Sequence, residues 1–175
     1  MTEPELVRGD GVSLVPVPPG GSLDDLPALI GGLTAGRGWP HAGTAPALAF
    51  AAAGGWTWLI VDESGAVVGD CGTKDPPVDG RVEIGYGLAG PSRGRGLGGR
   101  AIDALVGWLS ALPEVKVVTA HAAVDNQPSR RLLERLGFRL SGAGDGEEVE
   151  YSLDLAGQAS ETAGKVNLSN DDDDT

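Results

Sequence analysis

Apolar positions recur along this chain at two periods, and the switches between them outline a mixed α/β domain. GVSLVP (11–16) alternates as a strand does, while SLDDLPALIGGL (22–33) sets a Ser and two acidic residues ahead of its apolar positions, as a helix start does. The alanine-rich stretch near 44–53 predicts a weak helix. WTWLIVD (56–62) and AVVGDCG (66–72), joined by Glu63-Ser64-Gly65, predict a hairpin. RVEIGYGLAG (81–90) then resumes as a strand. It sets Val82, Ile84, Tyr86 and Leu88 on one face and Glu83, Gly85 and Gly87 on the other, so one face is almost bare.

Over 97–109 the residues Leu97, Ala101, Leu105 and Trp108 return at helical spacing, and EVKVVTAHA (114–122) reads as a buried strand. A second helix is expected over 128–136. Asp125 or Asn126 caps it, Leu132, Leu133 and Leu136 form its apolar stripe, and Gly137 ends it. GFRLSG (137–142) and EEVEYSLDL (147–155) are two further strands. No period survives beyond Leu155, which predicts one domain over 1–155 and a disordered acidic tail over 156–175.

Composition narrows the partners. The formal net charge is -12, and the tail (one Glu, four Asp, one Lys) carries -4 of it, which leaves -8 on the rest. Such a surface repels nucleic acid and anionic membranes and favours cationic substrates. The uncharged stretch 42–61 is long enough to span a bilayer, but Pro46, Gly54-Gly55 and its alanines argue against a span. The acidic start and a single Cys71 fit a reducing cytoplasm. No His, Cys and carboxylate spacing suggests a metal, and His41 and His121 read as loop or packing residues.

The feature richest in chemistry is Arg93-Gly94-Arg95-Gly96-Leu97-Gly98-Gly99-Arg100, between a strand and an amphipathic helix. Glycines let successive backbone N–H groups turn toward one point, and a helix N-terminus adds partial positive charge, so an anion such as pyrophosphate is stabilised there. Gly94, Gly96 and Gly99 also satisfy the G-x-G-x-x-G dinucleotide spacing, but no acidic residue ends the next strand to hold a ribose. A Walker site is absent because no Gly-Lys-Ser/Thr occurs. Seven of the 13 basic residues (Arg93, Arg95, Arg100, Arg130, Arg131, Arg135, Arg139) gather around this segment and around the second helix. Binding of a polyphosphate would explain that clustering, and so would a solvated helix face.

Three blocks resemble the GCN5-related N-acetyltransferases (GNAT family). Arg93-x-x-Gly96-x-Gly98 is similar to the family's Arg/Gln-x-x-Gly-x-Gly/Ala pyrophosphate signature. Asn126-Gln-Pro-Ser129 with Leu132 to Phe138 resembles the Asn-x-x-Ser to Gly-Phe block, and Glu83-Ile84-Gly85-Tyr86 the preceding strand of the ribosomal-protein N-terminal branch. The resemblance runs from about 81 to 142. It implies the GNAT fold, a mixed, mostly antiparallel central sheet of six or seven strands flanked by helices, with the cofactor in a splay beside strand 81–90.

It also implies transfer of acetyl from acetyl-coenzyme A to a primary amine, a protein N-terminus or a cationic small molecule, by a monomer or homodimer. The alternative is a non-catalytic acyl-coenzyme A sensor of the same fold. The cofactor would be held by Leu88, Arg93, Gly94, Arg95, Gly96, Leu97, Gly98, Gly99 and Asn126. Glu83 would be the base and Ser129 the partner of the departing sulfur; the first also reads as a salt-bridged glutamate, the second as a first-turn helix residue. Many relatives have a tyrosine acid where this chain has Leu133, which leaves Ser129, Tyr86 or solvent to protonate the sulfur. Segments 34–55 and 73–80 should line the acceptor side.

Overall fold

The computed structural model describes residues 2–25, 28 and 31–157. Among these, one sheet runs in the order β1 (Val7–Arg8), β2 (Val12–Pro16), β4 (Thr57–Asp62), β5 (Ala66–Thr73), β6 (Arg81–Leu88), β7 (Val117–Ala123), β9 (Glu148–Asp154), β8 (Arg139–Ala143). β3 (Thr34–Ala35) pairs in parallel with the start of β5. Nine strands therefore replace the six or seven expected, because β1 and β3 are only two residues long and too short to show a period. The remaining pairings are antiparallel except β6 with β7.

Among the described residues, the helices α1 (Thr44–Ala52), α2 (Leu97–Ser110) and α3 (Gln127–Arg135) cover the sheet. α2 buries Leu97, Ala101, Ile102, Leu105 and Leu109 in a core that includes Val12, Leu14, Trp58, Ile60 and Ile84. On the opposite face Leu48 of α1 joins Trp39, Leu59, Val61 and Val67 in a second, smaller core. Apolar layers on both faces explain why TWLIV in β4 is a continuous buried run rather than an alternating one. Cys71 lies in the larger core, as a small packing residue.

The helix expected over 22–33 begins as a 3-10 turn, Leu23–Asp25, in which Ser22 Oγ donates to Asp25 Oδ2 at 2.8 Å. Positions 26, 27, 29 and 30 of it, and the tail from 158 onward, lie outside the described residues.

The feature that positions the site is a mismatch of lengths in the middle of the sheet. β5 pairs with β6 as far as Leu88, whereas β7 pairs with β6 only from Arg81 to Ile84. From Gly85 onward β6 has a strand neighbour on one side only, and its other edge opens into a splay. The chain turns back after Leu88 through a 3-10 turn (Gly90–Ser92) and enters α2 at Gly96, whose φ of 75° is natural only to glycine.

Leu105 is fully buried under this arrangement and anchors α2 to the sheet. Leu105→Ala should lower unfolding free energy by about 2–5 kcal/mol through lost burial and the cavity left behind. Urea denaturation measures this; a loss under about 1 kcal/mol would show that α2 contributes little to the core.

Candidate active site

A groove of about 490 Å³ opens at the splay. Leu88 lines it from β6, and Arg93, Gly94 and Gly96 from the following loop. Leu97, Gly98 and Gly99 line it from the first turn of α2, and Asn126 and Ser129 from the start of α3. Two of the sequence-derived residues stand elsewhere. Arg95 faces Asp62 at 3.9 Å, and Glu83 borders neither this groove nor the smaller cavity behind it.

Backbone geometry makes the groove suited to an anion. Gly94 and Gly96 both have φ near +75° (76° and 75°), and no side chain caps α2, so the N–H groups of its first turn are free to bind a ligand. Arg93 donates from Nε to the Leu88 carbonyl at 3.2 Å, which steadies its guanidinium at the rim. Arg131 and Arg135 of α3 also line the groove, whereas Arg130 is turned inward to Tyr151 Oη and the Val124 carbonyl. Two of the clustered arginines of α3 thus face the groove and a third serves the core.

Asn126 accepts the Ser129 backbone N–H at 3.2 Å and so caps α3. That cap leaves the Ser129 hydroxyl free, and it meets Tyr86 Oη at 2.6 Å. The hydroxyl pair stands on the groove side of β6. Burial pushes the Tyr86 phenol above its usual value, and the Ser129 bond draws it only partly back. Leu133, at the position where a tyrosine was sought, is fully buried in the core.

The other face of β6 is not bare. His41 lies so close over Gly87 that a β-carbon there would come within 2.5 Å of its ring. Behind this ring sits a cavity of about 90 Å³, bounded by α1, β5 and β6 and sharing Tyr86 and Gly87 with the groove. His41, Pro46, Ala47 and Phe50 come from segment 34–55, but of segment 73–80 only Thr73 reaches it.

Glu83 lies on this face within a charged relay. Lys74 Nζ donates to its Oε1, His121 Nδ1 lies 2.9 Å from the same oxygen, and His121 Nε2 lies 3.7 Å from Glu150 Oε2. Burial pushes the Glu83 carboxyl up, but the hydrogen bonds from Lys74 and His121 and their charges outweigh it and hold the group below its usual range. Glu83 is therefore an ionised, salt-bridged carboxylate with a histidine beside it. Sequence reasoning set His121 aside; its signal was register, since β6 and β7 pair Glu83 with Thr119, and Thr119 and His121 share a face.

Comparisons with known proteins agree on one family. The model described as acetyltransferase (GNAT) domain matches residues 35–139. The uncharacterized N-acetyltransferase YjdG of Bacillus subtilis is 33% identical over 87 residues, 49% of this chain and 52% of that protein. The chain thus spans about half the length of that relative. An acetyltransferase from Agrobacterium tumefaciens superposes with a TM-score of 0.63 at 20% identity, over 87% of this chain and 96% of that one. The ribosomal L7/L12 alpha-N-protein acetyltransferase RimL, solved with coenzyme A, superposes with a TM-score of 0.63 at 18% identity, over 86% and 98%. Both structural likenesses concern the fold.

The Lys74 contact is the adjustable part of the relay. Lys74→Met removes a hydrogen bond and a positive charge while leaving burial in place, so the Glu83 carboxyl should titrate at higher pH than in the wild type. Carboxyl chemical shifts followed by NMR across acid pH measure it. An unchanged midpoint would mean that Lys74 does not hold the anion.

Proposed function

The chain belongs to the GNAT acetyltransferase family, and on that premise we propose that it carries acetyl from acetyl-coenzyme A to a primary amine by direct attack. The observation that carries the reading is the groove: glycine turns, an uncapped helix start and three arginines surround one opening beside a strand edge with unused backbone groups. Arg93, Arg131, Arg135 and the amides from Gly94 to Gly99 would hold the pyrophosphate and 3′-phosphate. The free edge of β6 beyond Ile84 would hold the pantetheine arm through main-chain hydrogen bonds. When bound, acetyl-coenzyme A supplies a thioester whose carbon takes the amine lone pair as the C–S bond breaks.

Each remaining role belongs to a residue of this chain. Glu83, kept ionised by Lys74 and His121, draws a proton from the ammonium through water. The Ser129 and Tyr86 hydroxyls, bonded to each other, return a proton to the departing sulfur. Cys71 is buried and burial pushes its thiol far up, which removes the one cysteine as a nucleophile and leaves no need for an acyl-enzyme. The acceptor is a protein N-terminus or a cationic small molecule. The net charge of -12 favours a cation, and RimL, whose name records a protein N-terminal substrate, shares the fold.

Glu83→Gln keeps size and hydrogen-bonding capacity but removes basicity. Turnover should fall about 10²-fold or more with cofactor affinity unchanged, and the deficit should shrink at high pH, where free amine needs no base. Steady-state thiol release against pH measures this. Normal turnover at neutral pH would leave Glu83 a structural member of the Lys74 and His121 relay.

A further inference from the structure

The chain has three lysines, Lys74, Lys116 and Lys165, and one of them stands against the proposed base. Lys74 follows the last residue of β5. Its backbone N–H donates to the Glu83 carbonyl at 2.9 Å, which continues the ladder in which Thr73 faces Ile84. Its side chain binds the same residue, because Lys74 Nζ donates to Glu83 Oε1. That side chain is 33% exposed, so the ammonium is neither sealed in the core nor loose in solvent.

Direction matters as much as contact. A β-carbon added to Gly85 would find a single neighbour, Lys74 Cε at 3.9 Å, so the lysine stem lies over bare backbone at the first residue of β6 that β7 leaves unpaired. In the reaction proposed above, the phosphates bind beyond Leu88 and the pantetheine arm follows the free edge of β6 back from there. Its reactive end then comes to the closed end of the splay, at Gly85. The Lys74 amine is held beside that point, on the face of β6 that carries Glu83 and opposite the Tyr86 and Ser129 hydroxyls. Lys116 gives the contrast. It precedes Val117, the partner of Arg81, so about four strand residues, roughly 13 Å, separate it from the splay.

We propose that Lys74 is a self-acetylation site: with acetyl-coenzyme A bound and no outside amine in place, the protein acetylates its own Lys74 Nζ. The inference rests on the acetyltransferase reading above and adds an internal acceptor. The step uses groups already in contact. Glu83 takes a proton from the ammonium that donates to it, the freed lone pair attacks the thioester carbon, and an N–C bond forms as the C–S bond breaks. The ammonium loses two protons in all. Glu83 passes both to solvent, and the Ser129 and Tyr86 pair, which protonates the sulfur, recovers one of them. The product is an uncharged amide that no longer offers Glu83 an ammonium hydrogen bond or a positive charge.

The test is incubation of the full chain with acetyl-coenzyme A and no added amine, followed over time by peptide mass mapping. Lys116 and Lys165 gauge uncatalysed acetylation within the same molecule. Lys74 should gain acetyl at least about 100-fold faster than Lys116, a small part of what held proximity can supply. The rate constant should not depend on protein concentration, as an intramolecular step requires. Excess coenzyme A, competing for the groove, should suppress the reaction at Lys74 and leave Lys116 unchanged. In the modified protein, carboxyl chemical shifts should show Glu83 titrating at higher pH than before, because a cation beside it has been lost.

Acetylation of Lys74 no faster than that of Lys116, or at a rate constant that grows with protein concentration, overturns self-acetylation. If added amines still drive thiol release from acetyl-coenzyme A in that case, the transferase reading stands without it. If neither added amines nor Lys74 take up the acetyl group, both readings fall.

Discussion

The structure depends on where β7 stops pairing with β6. Four residues of parallel ladder, Arg81 to Ile84 against Val117 to Ala120, hold the two strands together, and beyond them only β5 supports β6. An unpaired strand edge inside a sheet exposes backbone donors and acceptors that must be satisfied by solvent or by a ligand. α2 and α3 start close to that gap. Gly98 packs so near Leu88 and Leu132 that a β-carbon would stand 3.4 and 3.2 Å from them, which draws both helix starts onto the end of β6. The splay, the uncapped helix start and the arginine rim follow from one shortened ladder.

β6 also divides the chemistry. Tyr86 and Leu88 point into the groove with Ser129, while Glu83, Gly85 and Gly87 look toward α1, His41 and the Lys74 and His121 relay. In the proposed reaction, alternation along a single strand separates the groups assigned to the leaving sulfur from those assigned to the amine. The surface charge is divided in a similar way: an acidic exterior surrounds a groove whose rim carries Arg93, Arg131 and Arg135.

How much of this was legible in the sequence depends on the range of each contact. The glycine and arginine loop, the Asn126 cap with Ser129 and the two faces of β6 are local in the chain; their spacing pointed to an anion site at a helix start, and the family they resemble implied the fold. Ser129 and Tyr86 were named separately, and the structure places their oxygens 2.6 Å apart. His41, Lys74 and His121 were not legible as site residues. His41 meets Asp70 across 29 positions and His121 meets Glu83 across 38, through a loop conformation and a strand register that no local pattern encodes. The expectation of a bare face failed for the same reason, because the absence of side chains on Gly85 and Gly87 says nothing about which loop lies above them.

The central claim is that the loop and helix start over Gly94 to Gly99 hold the pyrophosphate of the cosubstrate. Comparing the affinities of coenzyme A and of pantetheine, which has the same thiol arm but no phosphates, tests it directly by calorimetry. Loss of two or more charge-assisted hydrogen bonds predicts pantetheine weaker by about 100-fold or more. Pantetheine binding within a few-fold of coenzyme A would show that the arm alone carries affinity and would contradict the account.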